Sequence, residues 1–441
     1  MDWKRLLPLL GLALLLLLVM GWIYAPRVKG VQPLLEPLHG RQPIQITFTR
    51  PMDPDSVEQA LATQPLQKGE FGWDESRQTL TFTPREAWPS DTILTIQVSS
   101  GARSTIHLPL LNPQTWQLEI SPYLLTYLYP ADNESNIYSL NLENGETRPL
   151  TRHPNGVLDY DISPDGLTIY YSTIDEDGSS GIYALNRLNG ESDVILICAD
   201  ALCRDPQVSP DGEWIAYQRI PQSPDHNPEI YLLTVPTRKT EPLLETNHHL
   251  ENPVWSPQGW LAFYDRSDQA YKFLHPQEGE VIAFANDTGG QGTWSPEGTA
   301  FVTTEILDIN ENLAFRHLFK YQVQSGSKTD LTQDPFLEDA TPSYSPEGLL
   351  AFGRKSLLPE EWSPGRQLWI MERGEEDANP LTNAGDYHHT AFAWHPDGEQ
   401  LAYVRYNQAQ LTESPELWLI AVDGADNYRL VINAFDPQWM P

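Results

Sequence analysis

The sequence has little positive charge and almost no cysteine: 28 Lys and Arg face 60 Asp and Glu among 441 residues, and only Cys198 and Cys203 carry thiols. A formal net charge of -32 repels a phosphate backbone, and no basic run exceeds the Lys4-Arg5 pair, so no nucleic-acid partner is expected. Two thiolates without a second Cys pair are too few for a four-ligand zinc site. The G-x-S-x-G nucleophile elbow, the GxxxxGK[ST] phosphate loop and the dinucleotide fingerprint are all absent. No catalytic, metal-binding or cofactor-binding residue is assigned, and no cofactor is expected.

Long apolar runs are missing as well, with one exception. Residues 6–24 read LLPLLGLALLLLLVMGWIY without a charge, about the ~20 residues that span a bilayer core as a helix. Ile23-Tyr24-Ala25 followed by Pro26 is a poor cleavage site for a signal peptide, so an uncleaved anchor is expected. Lys4 and Arg5 precede the run while Arg27 and Lys29 follow it, which leaves the positive-inside rule nearly balanced. The short tail before the run favours a signal anchor that leaves residues 1–29 as tail and membrane segment. The rest is then outside the cytoplasm, and Cys198 and Cys203 can close a small disulfide there.

What the chain does have is turn formers and aromatics: 38 Pro, 28 Gly and 14 Trp favour short strands joined by turns. A Ser-Pro-acidic-Gly motif recurs at Ser163, Ser209, Ser256 (where Gln258 replaces the acid), Ser295 and Ser345, with a variant at His395, at spacings of 46, 47, 39, 50 and 50 residues. That period fits a four-stranded propeller blade of roughly 40–50 residues. Proline presets one φ and glycine accepts a positive one, so each copy reads as a tight turn between antiparallel strands. Second strands follow at Trp214-Ile215-Ala216-Tyr217, Leu261-Ala262-Phe263-Tyr264 and Leu401-Ala402-Tyr403-Val404, and third strands at Glu229-Ile230-Tyr231-Leu232 and Glu416-Leu417-Trp418-Leu419.

These repeats resemble the TolB-like bacterial propellers, whose W-S-P-D-G turn is likewise followed by an I-A-F/Y strand, over about residues 116–441. One further strand set occupies residues 124–151. Pro437-Gln438-Trp439 copies Pro253-Val254-Trp255 without the strands that should follow. The expected fold is therefore all-β: a propeller over 123–441 with seven blades, closed by the C-terminal strand. The resemblance alone implies six.

Before it, Ile44-Gln45-Ile46-Thr47-Phe48, Thr79-Leu80-Thr81-Phe82 and Leu94-Thr95-Ile96-Gln97-Val98 alternate apolar with polar residues, the mark of half-buried strands. This stretch looks like the Ig-like domain of bacterial surface proteins. A sandwich over 30–110 and a linker over 111–122 are expected.

Alternating strand direction puts the tight motif turns at one end of the blades and the longer loops at the other, where binding sites tend to form. Arg219, Arg266, Arg354 and Arg405 each close a second strand at the loop-rich end, and a planar guanidinium suits carboxylate or other anion recognition. Structural salt bridging is the plainer reading. His153, His248, His249, His388 and His389 fall in the same loops without ligand-type spacing, and solvated loop histidines are the plainer reading there. Acidic runs at Asp175-Glu176-Asp177 and Glu375-Glu376-Asp377 match no calcium loop.

The expected function is a non-catalytic, membrane-anchored scaffold outside the cytoplasm that engages a protein, peptide or cell-envelope polymer through the loop-rich face. The candidate ligand-face residues are Arg219, Arg266, Arg354, Arg405, His249 and His388. The alternative is a propeller-fold hydrolase acting on glycans or peptides through rim carboxylates.

Overall fold

The structure is a computed structural model that describes residues 15, 19–34, 37–85, 87–89, 92–176, 178–245, 247–310, 313–374 and 377–441, with backbone only at 308–310, 313 and 314. Most of the apolar run 6–24 lies outside the described residues, as do Asp177, Glu375 and Glu376 of the two acidic runs. Among the described residues no helix is long and apolar enough to cross a membrane. The chain divides into two units at Tyr123 and Leu124.

The first unit is built from two antiparallel sheets. One has the order Val28–Gln32, Ile44–Phe48, Thr79–Pro84, Gly69–Trp73, and the other Leu61–Gln64, Ile93–Val98, Gln114–Glu119. The alternation read from the sequence is the cause. Ile44, Ile46 and Phe48 face inward with Leu80 and Phe82, and they meet Leu94, Ile96 and Val98 of the other sheet in one core. Trp88 fills the edge of that core and donates its indole N–H to the Gln42 carbonyl at 2.9 Å.

Two features here differ from the sequence reading. A short helix, Pro54–Ala60, opens on a proline, whose fixed φ suits the first helical turn, and buries Val57. Residues 111–122, read as a linker, contain the strand Gln114–Glu119, which pairs Leu118 with Leu94 and Trp116 with Ile96. The strand buries only Leu118 well, so its alternation is faint in the sequence.

The second unit contains seven four-stranded antiparallel sheets among the described residues. From the second sheet to the seventh they cover 159–198, 201–242, 250–285, 292–330, 337–380 and 387–432, each with its strands in chain order. The first sheet takes Leu124–Tyr129, Asn136–Asn141 and Thr147–Pro149, and its innermost place is filled by Phe435–Met440. Trp439 pairs with Leu125 and Gln438 with Thr126, as the copied Pro-x-Trp sequence leads one to expect. Each sheet shares a buried apolar core with the next. The seventh shares one with the first, where Ala402, Val404 and Leu417 meet Leu125, Tyr127 and Leu140.

Where the motif opens with serine, its hydroxyl accepts the N–H of a residue at or just before the start of the next strand, as in Thr168 to Ser163, Trp214 to Ser209 and Trp260 to Ser256, all 2.9 Å. In the Asp copies the same hydroxyl donates to the acid two residues on, Asp165 or Asp211, at 2.5 Å. The closing glycines at 166, 212, 259, 298, 348 and 398 have φ between 67° and 90°, which a side chain would strain.

The aromatic residue before the serine reaches across the sheet boundary. Trp255, Trp294, Trp394 and Trp439 donate their indole N–H to the carbonyls of Gln207, Val254, Ser343 and Ala393 at 2.9–3.0 Å, each acceptor lying on the innermost strand of the preceding sheet. The remaining junctions carry substitutes at the same level. Val208 N–H donates to Asp161 at 2.7 Å, Tyr344 N–H to Thr293 Oγ1 at 3.3 Å, and Gln438 Nε2 to the Tyr160 carbonyl at 2.8 Å.

Two measurements follow. Trp255→Phe keeps the ring but strands the Gln207 carbonyl and should cost about 1 kcal/mol in denaturant unfolding. Trp362→Phe, at a position 56% exposed, should change stability by much less. Cys198 and Cys203 are disulfide-bonded across the loop between the second and third sheets. Replacing both by serine should cost about 2 kcal/mol, by the loop-closure relation for so short a ring.

Candidate functional site

In this topology the connections after the second strands, at 222–228, 266–269, 357–366 and 408–415, leave the sheets at the same end as the links from sheet to sheet. The four arginines read as ligand-face residues stand there, and each is paired locally. Arg219 lies 2.6 Å from Asp200, and Arg266 lies 2.7 Å from Glu251. Arg354 forks onto Asp339 through two bonds of 2.7 Å, with both groups almost wholly enclosed. Arg405 gives its Nε to Glu416 at 2.8 Å and lies flat over the rings of Tyr387 and Trp418, 4.0 and 3.8 Å from their centroids. These pairs do not bring the four side chains together on one anion.

The histidines are also dispersed. His249 Nε2 lies 3.4 Å from Glu251. His388 packs on the Tyr406 ring and accepts the Arg366 N–H on Nδ1 at 3.3 Å. Burial first, and the cationic Arg366 second, push its pKa down to about 4. Burial likewise pushes the adjacent His389 down to about 4, although it directs its ring to the opposite side of the strand.

His248, Asp265 and Asp268 form the one group among the described residues spaced to hold a cation. The Lys272 ammonium already occupies that position, 2.7 Å from Asp265 and 2.5 Å from Asp268.

The sequence reading missed a second constellation on the innermost strands. Asp205, Asn252, Thr341, Ala391 and Asp436 all have φ between 51° and 56°, unusual for residues with a side chain. Each sits where the inner strand slips register against its neighbour, a bulge that re-aims the side chain. Asp205, Asn252 and Thr341 line a cavity of about 280 Å³ together with Gln207, Gln291 and Ser343.

Around the Asp205 side of this inner edge, acids accumulate. Asp159 pairs with Arg204 at 2.8 Å, while Asp161 accepts two backbone N–H groups, from Val208 and Ile162. Enclosure by protein raises Asp161 to about 7, Asp205 to about 6 and Asp436 to about 7, with repulsion from neighbouring aspartates adding to it. The sequence signal was the Asp-Pro or Asn-Pro step that begins three residues before Val208, Trp255 and Trp439, at Asp205, Asn252 and Asp436.

At the loop-bearing end large apolar side chains are exposed among polar and charged ones. Phe336, Trp362 and Leu411 are 53%, 56% and 76% exposed, on the links and loops of neighbouring sheets. Large exposed apolar patches mark interaction sites.

A carboxyl whose folded pKa lies above its unfolded value favours the fold at low pH, and that contribution is lost as pH rises through about 7. Asp436→Asn removes this titration and retains a residue tolerant of positive φ. Thermal melting should show the variant gaining over the parent at pH 8 and gaining little at pH 4; equal gains at both would contradict this account.

No curated protein sequence matches the chain. Residues 24–118 match the family model described as a bacterial Ig-like domain. Among solved structures, an oligogalacturonate lyase in complex with manganese is similar with a TM-score of 0.51 at 14% identity, covering 80% of this chain and 96% of that one. A structure from a study of two prolyl endopeptidases gives 0.52 at 12% identity, covering 78% of this chain and 48% of the longer chain. TolB from Acinetobacter baumannii gives 0.45 at 14% identity, covering 87% and 83% of the two chains. At such identities the likeness is one of fold. The chain is thus similar to bacterial Ig-like domains over residues 24–118 and is followed by an all-β unit of propeller type.

Proposed function

We propose that this protein is a non-catalytic binding scaffold at the outer face of a bacterial membrane. Residues 6–24 anchor it, and the seven sheets are the blades of one ring. The loop-bearing end of that ring takes a protein, peptide or cell-envelope polymer. The observation that carries this reading is the exposure of Phe336, Trp362 and Leu411 at that end, while Arg219, Arg266, Arg354 and Arg405 beside them are tied into local ion pairs. The Cys198–Cys203 disulfide supports an oxidising compartment.

One observation favours a second reading. Asp161, Asp205 and Asp436 share the inner edge at raised pKa values, and carboxyls held in different protonation states are what acid–base hydrolysis of a glycan or peptide uses.

The test uses the full chain in its native membrane with a photocrosslinking side chain at position 362 or, as control, at position 189 in a turn of the opposite end. An adduct is expected at 362 and not at 189, and serine at 336 and 411 should abolish it. Adducts at both positions or at neither refute the scaffold. Turnover of a glycan or peptide panel that Asp205→Asn removes would establish the catalytic reading instead.

A further inference from the structure

A cavity of about 320 Å³ opens at the motif-turn end between the third and fourth sheets, lined by Asp211, Trp214, Trp255, Gln258, His275 and Gln277 and by three prolines. Small-molecule sites span roughly 300–1,000 Å³, so its size suits a ligand of one or two rings. Turns build it: residues 209–214 turn the third sheet, 256–259 turn the fourth, and His275 ends the third strand of the fourth sheet.

Two departures from the repeat meet here. Five residues after the start of the motif the other copies carry Thr168, Leu261, Ala300, Leu350 and Gln400, whereas the third sheet carries the half-buried indole of Trp214. At the third position of the motif the other copies carry Asp165, Asp211, Glu297, Glu347 and Asp397, and the fourth sheet has an amide, Gln258. Both turns still close in the common way, with the Trp214 N–H on Ser209 and the Trp260 N–H on Ser256 at 2.9 Å. The turns therefore need neither departure.

The side chains are held in place. Trp255 has its indole N–H fixed on the Gln207 carbonyl, so its ring surface is what it offers a ligand. Asp211 spends Oδ1 on the Ser209 hydroxyl and the Glu213 N–H, and among the described residues it forms no ion pair. Gln258 donates its amide to the Glu297 carbonyl at 2.5 Å, which leaves its Oε1 as an acceptor.

The chemistry narrows the occupant. An anion would meet the Asp211 carboxylate and no Lys or Arg in the lining. A cation would be better served by the acid that the repeat supplies elsewhere and Gln258 replaces. A wholly apolar ligand would strip water from a carboxylate and two carboxamides without replacing it. A sugar ring meets each demand: equatorial hydroxyls leave its faces as C–H groups that pack on indoles, and the hydroxyls donate to carboxylate and amide oxygens. We propose that this cavity binds a short neutral saccharide with equatorial hydroxyls, its rings packed on Trp214 and Trp255 and its hydroxyls bonded to Asp211 and Gln258. The site lies at the opposite end from the exposed loops and does not rest on the reading of that end.

Cellobiose is the probe, with glucuronate and choline as anionic and cationic controls. In calorimetry on the full-length protein, cellobiose should bind saturably and the controls should not. Trp214→Thr and Gln258→Glu install side chains that other copies of the motif carry; the first should weaken binding about tenfold and the second about threefold. Should Trp214→Thr fail to fold, parent protein labelled with 5-fluorotryptophan still decides: cellobiose must shift the fluorine resonance of Trp255, assigned with Trp255→Phe. No saturable binding, equal binding by either control, an unmoved Trp255 signal or a folded Trp214→Thr protein that binds like the parent would each overturn the proposal.

Discussion

The second unit depends on a polar contact at the foot of each sheet junction. The innermost strand of a sheet is an edge strand whose outward carbonyls lack a ladder partner, and buried backbone polar groups have to be satisfied. An indole from the next sheet supplies the missing donor at four junctions, through Trp255, Trp294, Trp394 and Trp439. The ring also buries apolar surface, so one side chain closes the core and caps the edge together. At the other three junctions the contact differs: the Val208 and Tyr344 N–H groups donate to the side chains of Asp161 and Thr293, and Gln438 Nε2 donates to the Tyr160 carbonyl. The junction level is fixed, and the bulges at Asp205, Asn252, Thr341, Ala391 and Asp436 sit just outside it.

That arrangement explains what could be read from the sequence. Turn chemistry is local: serine, proline and glycine act within six residues, so the copies at Ser163 to His395 marked the strands on either side. The copied Pro-x-Trp at 437–439 disclosed a first strand lacking its sheet. Alternation disclosed the sandwich strands where one face is apolar, and failed at Gln114–Glu119, where only Leu118 is well buried.

Long-range partners left no such trace. Arg354 and Asp339 meet because two strands align in register, and Asp436 joins Asp161 and Asp205 only because the last strand returns to the first sheet. His389 and Arg405 were both visible as residues of the loop-rich end. That they stand directly opposite each other on adjacent strands was not, because it depends on strand register.

The carboxyls drawn into the fold fall into two groups. Carboxyls such as Asp339 and Glu416 neutralise arginines within a single sheet. Those of the inner edge crowd one another and oppose the fold once ionised, whereas buried His388 and His389 oppose it once protonated. Acid and alkali thus strain different parts of the same unit.

The return of Phe435–Met440 to Leu124–Tyr129 also has a consequence in time. Thr126 waits for Gln438, 312 residues later, before its sheet is complete. As the chain is synthesised, the first sheet holds an unpaired inner edge throughout the production of the other six. Loop closure over that distance comes late and slowly. Until Phe435–Met440 arrive, that edge stays open to pairing with other strands.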